Sequence, residues 1–209
     1  MTESMQVAEK LLQIKAVQLN PNDPFTWASG IKSPIYCDNR KVLSFPAIRD
    51  FVKSEFCNVI FSQFPDADLI AGVATAGVPW GALAADQLKL PFVYVRPKPK
   101  DHGTGKQIEG DFVKGQRTVV IEDLISTGKS SLQAIDALQA EGLEIVGIVS
   151  IFTYGFNDAK LAFESRNIPF YPLTDYSTLI KLASDKKYIT PEQEAILENW
   201  RLDPINWNK

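Results

Sequence analysis

The stretch that decides the fold runs from Val119 to Ser131 and reads VVIEDLISTGKSS. Its β-branched apolar run ends in two adjacent acids, and a turn of Ser, Thr and Gly then opens an amphipathic segment from Leu132 to Leu138, which Gly142 closes. This order predicts a strand, a loop and a helix. The amides and hydroxyls of such a loop, next to the positive end of a helix dipole, form a cradle for a phosphate group.

The two acids, Glu122 and Asp123, stand immediately before this cradle. Because carboxylates repel a bare phosphate, we expect them to face sugar hydroxyls or a metal carried by the ligand. The implied ligand is a phosphorylated sugar. The alternative is that the acids and hydroxyls only cap the next helix. A Walker A loop is not predicted, since that motif needs glycine where this chain has Asp123.

Length and composition limit the remaining possibilities. The chain has 209 residues, of which 45% are apolar, and this suits one main α/β domain. A net charge of −3 provides no basic field for nucleic acid or for an anionic membrane. Cys37 and Cys57, without CxxC spacing, suggest neither a disulfide framework nor a zinc site. We therefore expect a reduced, cytoplasmic protein.

Two segments resemble targeting or membrane signals only superficially. Residues 1–20 carry acids and lysines through an amphipathic pattern, which predicts a surface helix and no secretory signal. Residues 69–85 lack charge but are short for a membrane span and contain glycines and a proline. A buried strand, turn and helix explain this second segment better.

The pattern along the chain alternates between strands and helices. Strands are predicted at 69–73, 92–95, 118–121, 145–152 and 170–173. Helices are predicted at 45–61, 78–88, 131–140, 157–165, 176–184 and 195–200, the last preceded by a capping box at Thr190. A strand pair interrupted by Ser-Gly is predicted within 25–37. This alternation predicts a parallel sheet with helices on both faces.

Two further loops leave the predicted carboxyl edge of the sheet. Ala74 to Gly77 is a run of small residues before a helix, which suits either close approach to an anion or close helix packing. Arg96 to Gly110 is long, charged and rich in Gly and Pro, and it contains His102, the only histidine. It is expected to be mobile when empty, as a lid would be. The alternative is a solvated hairpin tip.

Three motifs occur in the order of one known family. The run from Glu122 to Ser130 resembles the signature for 5-phosphoribosyl 1-diphosphate (PRPP) of type I phosphoribosyltransferases. The run RPKPKDHGTG from Arg96 resembles the catalytic loop of orotate phosphoribosyltransferases, and FTWASGIKSPIY from Phe25 resembles their hood over the pyrimidine. The resemblance implies an α/β fold with a central parallel sheet flanked by helices. It also implies a single domain over 1–209, with a small N-terminal hood at about 1–45 and a mobile catalytic loop at 96–114.

The resemblance also assigns roles to residues. Those implied to bind PRPP are Arg96, Lys100, His102, Glu122, Asp123, Leu124, Ile125, Ser126, Thr127, Gly128, Lys129 and Ser130. Catalytic roles fall to Lys100, His102 and Asp123. The implied pyrophosphate loop contains Thr75, Ala76 and Gly77, and orotate contacts fall to Ser126 and Lys32.

The implied reaction transfers the phosphoribosyl group of PRPP to orotate and gives orotidine 5′-phosphate and pyrophosphate, in pyrimidine synthesis. Mg²⁺ is implied as a cofactor held mainly by PRPP, with no direct protein ligand. The implied assembly is a homodimer in which loop residues act partly in the neighbour's site. Neither nucleic acid nor a membrane is expected as a partner.

The chain departs from the family pattern in the implied base site. Ala28 and Ala76 stand where some relatives have lysine, and Thr153 and Tyr154 lie where those relatives have arginine. Either backbone groups of residues 32–37 hold orotate together with Ser126, or the acceptor is another nucleobase. A non-catalytic regulator that senses PRPP is a third alternative, whose usual mark would be a nucleic-acid-binding module or a basic face.

Overall fold

The computed structural model describes residues 2–27, 30–98 and 107–207. In chain order the elements are α1 (Glu3–Gln13), β1 (Val17–Leu19), β2 (Phe25–Thr26), β3 (Lys32–Ser33), β4 (Ile35–Cys37), a 3₁₀ helix (Asn39–Ser44), α2 (Pro46–Gln63), β5 (Leu69–Val73), α3 (Gly77–Leu88), β6 (Phe92–Val95), β7 (Ile108–Glu109), β8 (Arg117–Ile125), α4 (Lys129–Ala140), β9 (Glu144–Thr153), α5 (Asn157–Glu164), β10 (Phe170–Asp175), α6 (Tyr176–Asp185) and α7 (Pro191–Leu202). The chain divides into two compact units, one of residues 50–173 and one that combines 1–49 with 174–209.

The central sheet has six strands in the order β10-β9-β8-β5-β6-β7. β5 pairs in parallel with β6 on one side and with β8 on the other, and β8 pairs in parallel with β9. The predicted parallel sheet is therefore confirmed, with the short unpredicted strand β7 added antiparallel to β6. From β5 the chain builds outward in both directions, so a topological switch point lies between β5 and β8.

The core of this unit consists of apolar side chains from the sheet, α4 and α5. β5 is buried along its whole length, as its run of LIAGV predicts for a strand covered on both faces. α3 approaches the sheet closely, because a Cβ at Gly77 would lie 2.4 Å from the Ile121 carbonyl oxygen and 3.3 Å from the Glu122 Cα. The small residues before α3 thus bring the start of that helix against β8.

The strand that carries the two acids is longer than predicted. The apolar run indicated a strand over 118–121, whereas β8 continues to Ile125 and includes both Glu122 and Asp123. The parallel ladder with β9 explains this difference, since Glu122, Leu124 and Ile125 pair with Ser150, Phe152 and Thr153. Tertiary pairing overrides the low strand propensity of the acids.

The unit of residues 1–49 and 174–209 contains α1, α6, α7 and two small sheets. β2 and β3 form the predicted antiparallel pair, and Trp27 N–H donates to the Ile31 carbonyl at 2.9 Å. The prediction of one helix for residues 1–20 is wrong beyond Gln13: Lys15 has a φ of 55°, and β1 follows and pairs with β4. The predicted capping box of Thr190 and Gln193 is confirmed at the start of α7.

Within the described ranges, every helix is too short or too polar to span a lipid bilayer.

Candidate active site

The loops after β5 and β8 flank the switch point of the sheet. The first begins with Ala74, whose N–H donates to the Val95 carbonyl at 2.9 Å, and its Ala74–Thr75 peptide bond is cis. Thr75 is exposed, Ala76 is half-buried and Gly77 is buried against β8. The predicted pyrophosphate loop therefore lies beside the strand that carries the two acids.

The described helices start in two ways, and α3 and α4 share with α5 the lack of a side-chain cap among the described residues. Thr2, Asp175 and Thr190 accept hydrogen bonds from the first turns of α1, α6 and α7. By contrast, none of the described side chains caps α3 or α4, which begin after Ala76 and after Gly128. Amides in the first turn of a helix need acceptors, and an anionic ligand can provide them.

We call residues 126–130, which run from the end of β8 into the first turn of α4, the phosphate loop. Ser126 is half-buried, while the side chains of Thr127, Lys129 and Ser130 are exposed. Gly128 is buried with a φ of 77°, and a Cβ at this position would lie 3.0 Å from the Phe163 ring. Glycine is required here because the backbone is left-handed and α5 packs beneath it.

The end of β8 is tied to the residues that follow β9. The Ile125 carbonyl accepts hydrogen bonds from the Thr153 hydroxyl at 3.0 Å and from the Tyr154 N–H at 3.2 Å. The Gly155 N–H donates to the same Thr153 hydroxyl at 3.1 Å. Ile125 itself is buried in the core, so only its backbone faces the loop.

Glu122 is buried to 6% exposure. Its Oε1 accepts the Asp123 N–H at 2.9 Å, and its Oε2 accepts the Ser131 hydroxyl at 3.4 Å. Burial, followed by the charge of the neighbouring Asp123, raises the pKa of Glu122 well above its usual range. Asp123 and Leu124 are half-buried, so the acid pair has one enclosed and one more accessible member.

Two hydrogen bonds join Arg96 and Gln107, which follow β6 and precede β7. Arg96 N–H donates to the Gln107 carbonyl, and the Gln107 side chain donates to the Arg96 carbonyl, both at 2.9 Å. The Arg96 Nη1 lies 3.7 Å from Glu109 Oε1 and is buried without a hydrogen-bond partner in the described ranges. Lys100 and His102 lie outside the described residues, as does the whole of 99–106.

The predicted orotate contact Lys32 belongs to the other compact unit. Its ammonium donates to the Thr26 hydroxyl at 2.8 Å, and its carbonyl accepts the indole N–H of Trp200 at 3.2 Å. Trp200 is fully buried, with its ring edge-on to Trp27 at 5.8 Å. Ala28 lies outside the described residues. The predicted hood at about 1–45 therefore folds together with helices from the C-terminal end of the chain.

Three residues that support either the phosphate loop or Lys32 were not predicted from the sequence. Phe163 beneath the phosphate loop and Trp200 beneath Lys32 are distant in sequence from the residues they support. Thr153 drew attention only as a departure from the family pattern. Gly128 is the local feature that could have indicated close packing at the phosphate loop.

Few described side chains at this edge of the sheet could act as metal ligands. The described ranges contain no cluster of three or more His, Cys, Asp or Glu side chains arranged to hold a metal ion. Glu122 and Asp123 are the carboxylates nearest the phosphate loop in the chain.

Comparison with known proteins agrees with this arrangement. Residues 47–167 match the family model described as "Phosphoribosyl transferase domain", which is the class that the sheet order and the phosphate loop define. The chain is 53% identical to the orotate phosphoribosyltransferase of Listeria innocua serovar 6a, over 100% of both chains. It belongs to the family of orotate phosphoribosyltransferases.

Solved structures share the fold. The orotate phosphoribosyltransferase of Aeropyrum pernix matches 88% of this chain and 99% of its own length, with a TM-score of 0.77 and 28% identity. The UMP synthase of Leishmania donovani matches 95% of this chain and 42% of its own longer chain, with a TM-score of 0.79 and 31% identity. The predicted type I phosphoribosyltransferase fold is thereby confirmed.

Proposed function

We propose that the protein transfers the phosphoribosyl group of PRPP to orotate, giving orotidine 5′-phosphate and pyrophosphate in pyrimidine synthesis. One observation carries this proposal: α3 and α4 begin without described side-chain caps on either side of a strand that carries adjacent acids. Two anion-binding helix ends beside two carboxylates suit a diphosphate, a monophosphate and the sugar diol between them. The relationship to the orotate phosphoribosyltransferases supports orotate as the acceptor.

The proposed chemistry needs no protein nucleophile. As the bond to the anomeric carbon breaks, positive charge grows on the ribose and negative charge on the departing pyrophosphate, so catalysis depends on positioning and electrostatics. Glu122 and Asp123 would fix the ribose hydroxyls and balance the cationic ring. The phosphate loop would hold the 5-phosphate through its amides and hydroxyls.

The leaving group is proposed to meet the loop after β6. Arg96 and Lys100 would neutralise the diphosphate, and His102 would donate a proton or hydrogen bond to the departing oxygen, since the unperturbed pKa of histidine is near neutral. Bound Mg²⁺ would add positive charge on the diphosphate. Ala76 supplies no ammonium group to the pyrophosphate loop, so this loop would act through its backbone.

Ser126 and the backbone groups of residues 32–37 are each proposed to contact orotate. This mode accommodates the alanine at position 28 and the absence of arginine at Thr153 and Tyr154. We further propose a cytoplasmic homodimer in which Arg96, Lys100 and His102 act partly in the neighbour's site.

The test is the loss of orotate absorbance in the presence of PRPP and Mg²⁺. Turnover that stops on addition of a chelator supports the proposal. A panel of other nucleobases serves as the comparison, and turnover of another base without orotate would contradict the choice of acceptor. PRPP binding without turnover of any base would favour a sensing regulator. Lys100→Ala and His102→Ala are each expected to lower kcat steeply with modest loss of PRPP affinity.

A further inference from the structure

The hydroxyl of Thr153 connects two loops that leave neighbouring strands. It donates to the Ile125 carbonyl at 3.0 Å and accepts from the Gly155 N–H at 3.1 Å, and Thr153 is only 4% exposed. Ile125 is the last residue of β8, and Ser126 follows it as the first residue of the phosphate loop. A single buried hydroxyl therefore bridges the start of the phosphate loop and the turn that leads into α5.

We propose that Thr153 is a positioning residue, which fixes the backbone of Ser126 for catalysis without touching the substrate. This inference rests on the proposed function, because it assigns Thr153 a role in the same reaction. The side-chain hydroxyl of Thr153 is directed at the protein backbone. Thr153 thus supports the backbone of the phosphate loop.

The geometry explains why the hydroxyl matters. The Ile125 carbonyl has two acceptor directions, and Thr153 and the Tyr154 N–H occupy both. Without the hydroxyl, the buried Ile125 carbonyl loses one of its two partners, and the N–H of Gly155, an exposed residue, loses its protein acceptor. A buried carbonyl that loses one of two partners is destabilised, and a movement of its backbone toward another donor lowers this cost. A shift of Ser126 would misplace both the phosphate loop and the proposed orotate contact.

The chain offers a matched control on β8, the strand that pairs with β9. Thr118 lies near the opposite end of β8, is fully buried, and donates its hydroxyl to the Gln116 carbonyl at 3.1 Å. Thr153→Val and Thr118→Val therefore remove the same group from similar surroundings. Thr153→Ser keeps the hydroxyl and removes only the methyl group.

The experiment measures kcat and KM for PRPP and orotate, together with melting temperatures, in the wild type and these three variants. We expect Thr153→Val to lower kcat/KM about tenfold, equivalent to about 1.4 kcal/mol. Thr118→Val is expected to retain wild-type kcat/KM even if it loses similar stability, and Thr153→Ser to stay within about twofold of wild type.

Two results would overturn the inference. One is a Thr153→Val enzyme with kcat/KM equal to that of Thr118→Val, which would make Thr153 an ordinary core residue. The other is an equal loss in Thr153→Ser, which would assign the effect to the methyl group. Calorimetric titration with PRPP separates this inference from the proposed function. If the wild type does not turn over orotate, PRPP affinity that is weaker in Thr153→Val than in Thr118→Val still supports the positioning role, and equal affinity refutes it.

Discussion

The phosphate loop and the hood are held in place by different kinds of contact. The phosphate loop connects a buried strand directly to a helix, and it is supported by Phe163, by Thr153 and by the ladder between β8 and β9. The hood strands that carry Lys32 are two or three residues long and depend on Trp200, which is 168 positions away in sequence. The proposed anion-binding side is thus a continuous motif on a large sheet, and the proposed base side is assembled from the two ends of the chain.

This difference indicates which changes should weaken the binding of each proposed substrate. A change beneath the phosphate loop should weaken PRPP binding, because the loop's geometry is fixed by the core of its own unit. A change in the C-terminal helices should weaken orotate binding, because the hood strands are only two or three residues long. Short two-stranded pairs are marginal without such packing.

The largest effect is expected for Gly128→Ala. Alanine at this position would have to adopt the left-handed φ of 77°, which L-residues rarely adopt, and its Cβ would lie 3.0 Å from the Phe163 ring. We therefore expect the phosphate loop to move. A displacement of this kind costs about 100-fold in kcat/KM for PRPP. Steady-state kinetics with PRPP as the varied substrate measures it.

Gly115→Ala is the control for this change. Gly115 has a similar φ of 87°, but a Cβ there meets nothing within 4 Å. The backbone cost is therefore matched without the contact, and we expect wild-type kcat/KM. Equal losses in the two variants would show that α5 does not define the loop, and would remove one half of the comparison.

A smaller effect, on orotate instead of PRPP, is expected for Trp200→Phe. This change deletes the indole N–H that reaches the Lys32 carbonyl at 3.2 Å, a hydrogen bond whose net contribution is about 0.5–1.5 kcal/mol. We expect KM for orotate to rise about fivefold to tenfold. The dissociation constant of PRPP, measured by calorimetry, is expected to stay at its wild-type value.

Tyr176→Phe is the matched variant in the same cluster. Its hydroxyl donates to the Leu197 carbonyl at 2.9 Å, and its ring lies 5.6 Å from that of Trp200. It should lose stability without a change in KM for orotate. If both variants raise this KM equally, general loosening of the unit explains the effect, and the Trp200 contact has no special role.

The sequence predicted the two regions to different degrees, for physical reasons. Around Glu122 the chemistry lies in one continuous run, and the apolar period of the flanking segments fixes strand and helix locally. The strand end at Ile125 was missed because its pairing with β9 overrides local propensity. The role of Trp200 was not accessible at all, since only tertiary contact brings α7 to Lys32. Burial of Glu122 was likewise invisible, because the sequence does not show that Ser131 and α3 enclose it.

The last prediction concerns the pH dependence of stability, through Glu122. Because burial raises the pKa of Glu122 in the folded state, its contribution to stability is present below the unfolded value near 4.5 and is lost as the pH rises through the folded pKa. Glu122→Gln stays neutral and keeps an acceptor for the Asp123 N–H. The free energy of unfolding in urea should therefore favour Gln over Glu increasingly as the pH rises from 4.5. Glu192→Gln should show the opposite slope, since the Thr190 hydrogen bond lowers the pKa of Glu192. Parallel pH profiles for wild type and Glu122→Gln would mean that water reaches the carboxylate.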